Sequence, residues 1–264
     1  MDKTEARAYI DGLPYIPARD QWPNRGNDTR WVVLHTIEGP EAPTSAEGCA
    51  NYFANPGNRT ASTQFCVDTN STVRCAELDK VVAGAVGANH KGIHIEQAGV
   101  AAQTPAQWRD DYSMRMVLGQ TAPLVAALCV TYDIPVQFVK ADGLRAGVRG
   151  VTTHAECWKA FGGDYRSDPG DHYPIAELLD ETRRLIDGTT PEDDTVTPEQ
   201  MNQLGAWMQE QRTLTDNRIA ELEAKVDALL LQLDPAGVAA GAALTPSEPY
   251  ARQLLERVVN KTEA

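Results

Sequence analysis

The chain has no unbroken apolar run of the roughly 20 residues that a membrane-spanning helix requires, so no membrane span is expected. Its opening stretch, MDKTEARAYIDG, is charged and polar where a secretory leader needs an apolar centre. The protein is therefore expected to be made and held in a cytoplasm, with a separate factor releasing it for any work outside. Positive charge is scarce as well. Across 264 residues, 24 Lys and Arg face 37 Asp and Glu, a net charge of −13, which argues against a nucleic-acid partner. Cysteines number five, an odd count that fits no disulfide framework. Cys66 and Cys75 would face each other if QFCVD and TVRCAEL pair about Asn70 and Ser71, and packed thiols are the expectation there.

What is present reads as alternating strands and helices. TRWVVLHT is a buried strand after the polar loop QWPNRGND, and EGCANYFAN is a short helix stopped by Pro56 and Gly57. Period-2 alternation from Thr63 to Leu78 predicts a hairpin. GIHIE is a further strand, with Ile93 and Ile95 on one face and His94 and Glu96 on the other. Residues 113 to 132 form a mostly apolar helix that Pro123 should kink or start. PIAELLDETRRLIDG is amphipathic, turns Ile175, Leu178, Leu179, Leu185 and Ile186 inward, and closes at Gly188. The fold class is α/β, a sheet covered by helices.

Residues 1–188 make the main domain, and 189–199 are an acidic, proline-containing linker. Residues 200–233 read as a helix in which Ile219, Leu222, Val226, Leu229 and Leu233 form a short coiled-coil seam, a route to a homo-oligomer. Residues 234–264 are a small-residue linker and a terminal helix.

Two histidines stand out. His35 ends an apolar strand, and His154 lies fourteen residues before the Asp168-Pro169-Gly170 turn. Two imidazoles and a carboxylate would bind Zn²⁺ tetrahedrally and leave a fourth position for water, as catalytic sites do. Asp168 has an alternative reading as an ordinary turn residue. Cys157, three residues after His154, is a rival ligand.

VVLHT, AEGCANYFANPGNRTASTQFCVDTNSTVRCAEL, ANHKGIHIEQAG and the segment from Thr152 to Pro174 resemble the zinc-dependent N-acetylmuramoyl-L-alanine amidases of the amidase-2 type. That family shares its fold with the peptidoglycan recognition proteins and is common in phage endolysins. QTPAQWRDDYSMRM and LCVTYDIPV are similar to lysins of actinobacterial phages, and the likeness covers roughly residues 20 to 187. It implies a central mixed sheet flanked by helices, peptidoglycan as partner, and cleavage of the amide between N-acetylmuramic acid and L-alanine. It also implies zinc held by His35, His154 and Asp168, with Glu96 as the catalytic carboxylate. Arg166 stands where many relatives carry an oxyanion-stabilising lysine, and keeps the charge with a different geometry. His94, at a variable family position, and His172, in PGDHYP where relatives have PGPxFP, are expected to line the substrate site. An AWHAG-like stretch is replaced by VVAGAVGANH. Two other readings stay open: a virion-associated hydrolase and a non-catalytic peptidoglycan-binding module.

Overall fold

Trp31–Thr36 is buried at every position, as expected of a strand covered on both faces. The structure, a computed structural model, describes residues 1–188 apart from 24, 25, 27, 56 and 58–60. The linker, heptad seam and terminal helix expected over 189–264 lie outside the described residues. Among those described, the strands are β1 (Gln21–Trp22), β2 (Trp31–Thr36), β3 (Phe65–Val67), β4 (Thr72–Arg74), β5 (Val81–Val82), β6 (Gly92–Gln97) and β7 (Gly150–Thr153). The α-helices are α1 (Lys3–Asp11), α2 (Ser45–Ala54), α3 (Pro105–Trp108), α4 (Asp111–Met114), α5 (Ala122–Tyr132), α6 (Ala141–Arg145), α7 (His154–Phe161) and α8 (Ile175–Asp187).

Five strands form one mixed sheet in the order β4-β3-β6-β2-β7, and β1 pairs with β5 in a separate ribbon. β2 runs parallel to β6 and β7, β6 parallel to β3, and only β4 is antiparallel to its neighbour. Period-2 alternation divides the side chains between two faces. Val32, Leu34, Ile93, Ile95, Phe65 and Val67 join the main core with α1, α5 and α8. Each fully buried Ile or Leu there contributes roughly 1.5–3 kcal/mol. The opposite face is split: Cys66 and Val73 pack under α2, and Trp31 and Val33 pack with Leu144 and Cys157 of α6 and α7. Between those two clusters, His35, His94 and Glu96 share that second face near the C-terminal ends of β2 and β6.

The hairpin forms as read, with Val67 opposite Thr72. Asp68 closes it: Oδ1 accepts from the amides of Asn70 (3.0 Å) and Ser71 (2.9 Å), and Oδ2 accepts from Ala46 N at 2.9 Å. The last bond caps α2, whose own Thr44 makes no side-chain cap. Cys66 and Cys75 meet with sulfurs 3.5 Å apart, as free thiols.

Two elements differ from expectation. The helical run ending at Tyr132 begins earlier than expected, at Asp111, while Pro123 marks the start of its last α-helical part, α5, one of the two roles expected of it. Arg115–Thr121 is π-helical, and Pro123 follows in the first turn of α5. The widened turn accommodates a residue with no N–H to donate. By length and composition this helix could cross a membrane, although no uninterrupted apolar run marks it. Half of it is buried, and its packing on α1, α8 and the sheet accounts for that composition. Residues 3–11, to which the sequence reading gave no structure, form α1. Asp2 and Glu5 build a capping box, Ala6 and Ile10 are buried, and the Met1 amine donates to Ile186 O at 2.8 Å.

Candidate active site

His35 is the fifth residue of β2, paired with Glu96 of β6 one residue past the end of the ladder with β7, and 1 % exposed. His154 is the first residue of α7, directly after β7, with Thr153 Oγ1 accepting from Glu156 N at 3.2 Å as its N-cap. Asp168 comes from the loop before α8, and its carbonyl accepts from Ala155 N at 3.0 Å. The turn that follows requires glycine: Gly170 has φ 98°, and a Cβ there would lie 2.0 Å from Ala101 O.

The three side chains converge. His35 Nδ1 lies 3.0 Å from His154 Nδ1 and 3.4 Å from Asp168 Oδ2, and His154 Nδ1 lies 3.1 Å from the same oxygen. A tetrahedral zinc with bonds of about 2.0–2.1 Å has ligand–ligand edges of about 3.3 Å. The spacing and the donor set, two imidazoles and a carboxylate, therefore fit that ion. Burial lowers the His35 pKa to about 4 despite the opposing pull of Asp168, so this ring is neutral. Burial alone would raise Asp168, but its contacts with His154 and His35 hold it below the usual carboxylate range, so it is ionised. Cys157 does not join them. It packs with Trp31, Val33 and Leu144, and burial pushes its thiol up to about 12.

Glu96 is the register partner of His35 on β6, with Oε1 3.9 Å from His35 Nδ1. Its Oε2 is buried without a hydrogen-bond partner among the described residues. Burial, then the neighbouring Cys49, Asp168 and Glu38, raise its pKa well above the ordinary value. Glu96, His154, Asp168 and Arg166 line a cleft of about 570 Å³. Arg166 Nη1 donates to the carbonyl of Tyr165 at 2.9 Å.

The match to a known family decides the identity: the model for Amidase_2, N-acetylmuramoyl-L-alanine amidase, fits residues 25–171. The chain belongs to this family. No curated protein matches this amidase. Among solved structures it is similar to the Staphylococcus aureus hydrolase AmiA in complex with its ligand, at 18 % identity and TM-score 0.50, covering 70 % of this chain and 92 % of that one. A mutant endolysin from Bacillus subtilis gives 15 % and 0.45 over 65 % and 98 % of the two chains. The amidase LysCS from Clostridium intestinale URNW gives 12 % and 0.41 over 65 % and 97 %. The mixed sheet flanked by helices is the amidase-2 fold.

Two expected cleft residues of the amidase lie elsewhere. His94 is fully buried beneath His35, its Nδ1 3.0 Å from His35 Nε2, because the 84–89 loop closes over this part of β6. His172 is exposed and does not border the cleft. The next residue, Tyr173, turns inward and donates to Gln97 Oε1 at 2.7 Å, which sends His172 outward. Gln97 Nε2 in turn donates to His35 O at 3.2 Å, tying the strand end to the core.

Cleft residues not anticipated include Trp158 and Tyr165, whose rings meet edge-on with centroids 4.8 Å apart. Trp158 is four residues after His154 on α7, the spacing that puts two side chains on one helix face, and that signal was legible. Cys49 of α2 borders a smaller pocket beside Glu96, which no local pattern announces.

Proposed function

We propose that this amidase is a zinc-dependent endolysin of an actinobacterial phage, hydrolysing the amide between N-acetylmuramic acid and the L-alanine of the stem peptide. The observation that carries the reading is the 3.0–3.4 Å triangle of His35 Nδ1, His154 Nδ1 and Asp168 Oδ2 at the cleft. His35, His154 and Asp168 are the residues that would hold the metal. Zinc bound there supplies a Lewis acid for the scissile carbonyl and lowers the pKa of a water to about 7.

The rest falls to the protein. Glu96, with its raised pKa, takes the proton of the attacking water and passes it to the leaving amine. Arg166 carries a fixed positive charge at the cleft, suited to the oxyanion that develops on the carbonyl. Trp158 and Tyr165 offer an aromatic wall to the glycan or peptide. The phage assignment is supported by the sequence likeness in residues 103–116 and 128–136, and it implies storage in the host cytoplasm until a separate factor opens the way to the wall. A non-catalytic binding module is disfavoured, since all three donors are intact. Mass spectrometry of digested peptidoglycan, with and without chelator, tests the proposal. Release of free L-alanine amino termini only without chelator is the expected result; cleavage of a glycosidic or cross-bridge bond would overturn it.

A further inference from the structure

A neutral imidazole carries one proton on one of two nitrogens, and a ligand nitrogen must be the bare one. His35 turns Nδ1 to His154 and Asp168, and its other nitrogen, Nε2, lies 3.0 Å from Nδ1 of His94. For Nδ1 to present its lone pair, the proton must sit on Nε2, and His94 Nδ1 is the acceptor in line. That bond fixes the proton of His94 on its own Nε2.

The backbone of His94 is anchored and its ring enclosed. It is 0 % exposed. Its amide donates to Gln64 Oε1 at 2.7 Å, and its carbonyl accepts from Thr63 Oγ1 at 2.8 Å. The ring fits because Gly84 and Gly92 have no side chains. A Cβ on Gly84 would lie 2.4 Å from His94 Nδ1, and one on Gly92 would lie 3.2 Å from Nε2.

We infer that His94 is a positioning residue of the metal centre, accepting the Nε2 proton of His35 and thereby setting the tautomer that leaves Nδ1 free. The inference rests on the zinc reading of the site. Outer-shell partners of a metal-bound histidine orient the ring and raise its basicity, and their loss typically weakens metal binding about 10–100-fold.

The test is zinc affinity of the full chain by chelator competition, with nitrogen-15 NMR of the zinc-loaded protein. His94→Leu removes the acceptor and should weaken zinc about 10–100-fold. His94→Asn, whose Oδ1 takes roughly the place of Nδ1, should recover most of that loss. Gly84→Ala, which crowds the ring without changing its chemistry, should weaken zinc in the same direction. In the wild type, the His35 Nε2 proton should be visible and coupled to His94 Nδ1. Equal zinc affinity in wild type and His94→Leu would overturn the inference, as would a His35 proton on Nδ1. If His94→Leu does not fold, the wild-type tautomer and the His94→Asn affinity still decide. A wild type that takes up no zinc defeats the metal reading first, and is seen before any variant is compared.

Discussion

His35 and Glu96 face each other across the parallel pair β2 and β6, with Glu96 Oε1 3.9 Å from His35 Nδ1. One register pair thus sets a ligand-type nitrogen beside a carboxyl group whose pKa burial raises. Glu96→Gln keeps size and fold but cannot accept a proton. It should retain zinc and lose at least about 10²-fold in turnover, the usual scale of acid–base catalysis. Near-normal turnover would mean that another group takes the proton.

The assignment of the third ligand is tested by metal analysis. His35→Ala and His154→Ala should each remove zinc and activity together. Cys157→Ser should keep both, at a cost in stability of about 1–3 kcal/mol for placing a hydroxyl among Trp31, Val33 and Leu144. Zinc loss in the Cys157 variant would displace Asp168 from its role.

Arg166 borders the cleft with its guanidinium free of any carboxylate within salt-bridge distance among the described residues. If it acts on the oxyanion, Arg166→Ala should lower kcat more than it raises KM. The reverse split, with kcat unchanged, would make it a substrate-binding residue only.

His35, His154 and Asp168 stood out as two imidazoles and a carboxylate, and the family resemblance, not local pattern, singled out those three with Glu96. The burial of His94 was not legible. Alternation places it on the face of Glu96, yet depth along the strand depends on the 84–89 loop closing over it at Gly84, a long-range contact that no local pattern carries. Helix α1 went unread for a different reason: its charged start supplies the cap, and only Ala6 and Ile10 betray a buried side. The π-helical turn before Pro123 likewise answers a backbone need that composition does not display.

The five thiols should differ sharply in reactivity. Cys49 is half-buried, whereas Cys66, Cys75, Cys129 and Cys157 are buried. Burial pushes Cys129 and Cys157 up to about 12, so their thiolate fractions are negligible near neutral pH. A maleimide should therefore label Cys49 first in the folded protein. The adduct would fill the pocket shared with Glu96 and reduce activity, while Cys49→Ser should abolish that sensitivity. Peptide mapping that finds another cysteine labelled first would refute the ordering.

The last prediction concerns residues 189–264. Ile219, Leu222, Val226, Leu229 and Leu233 give about two clean heptads, and the same frame upstream meets Thr215 and Arg212. Short helices are marginal alone in water, so this seam needs a partner to bury it. We propose that a second copy of the chain supplies that partner, since an acidic stretch without aromatic-rich repeats is a poor match to carbohydrate. The family match ends at residue 171, and α8 ends in the left-handed Gly188 (φ 67°), a natural helix stop. A 1–188 truncation should therefore fold, stay monomeric in sedimentation, and still cleave soluble wall fragments. The full chain should sediment as a weak dimer or higher oligomer whose mass rises with concentration. A full-length monomer at every concentration would sink the oligomer, and an inactive truncation would make the tail part of the catalytic fold.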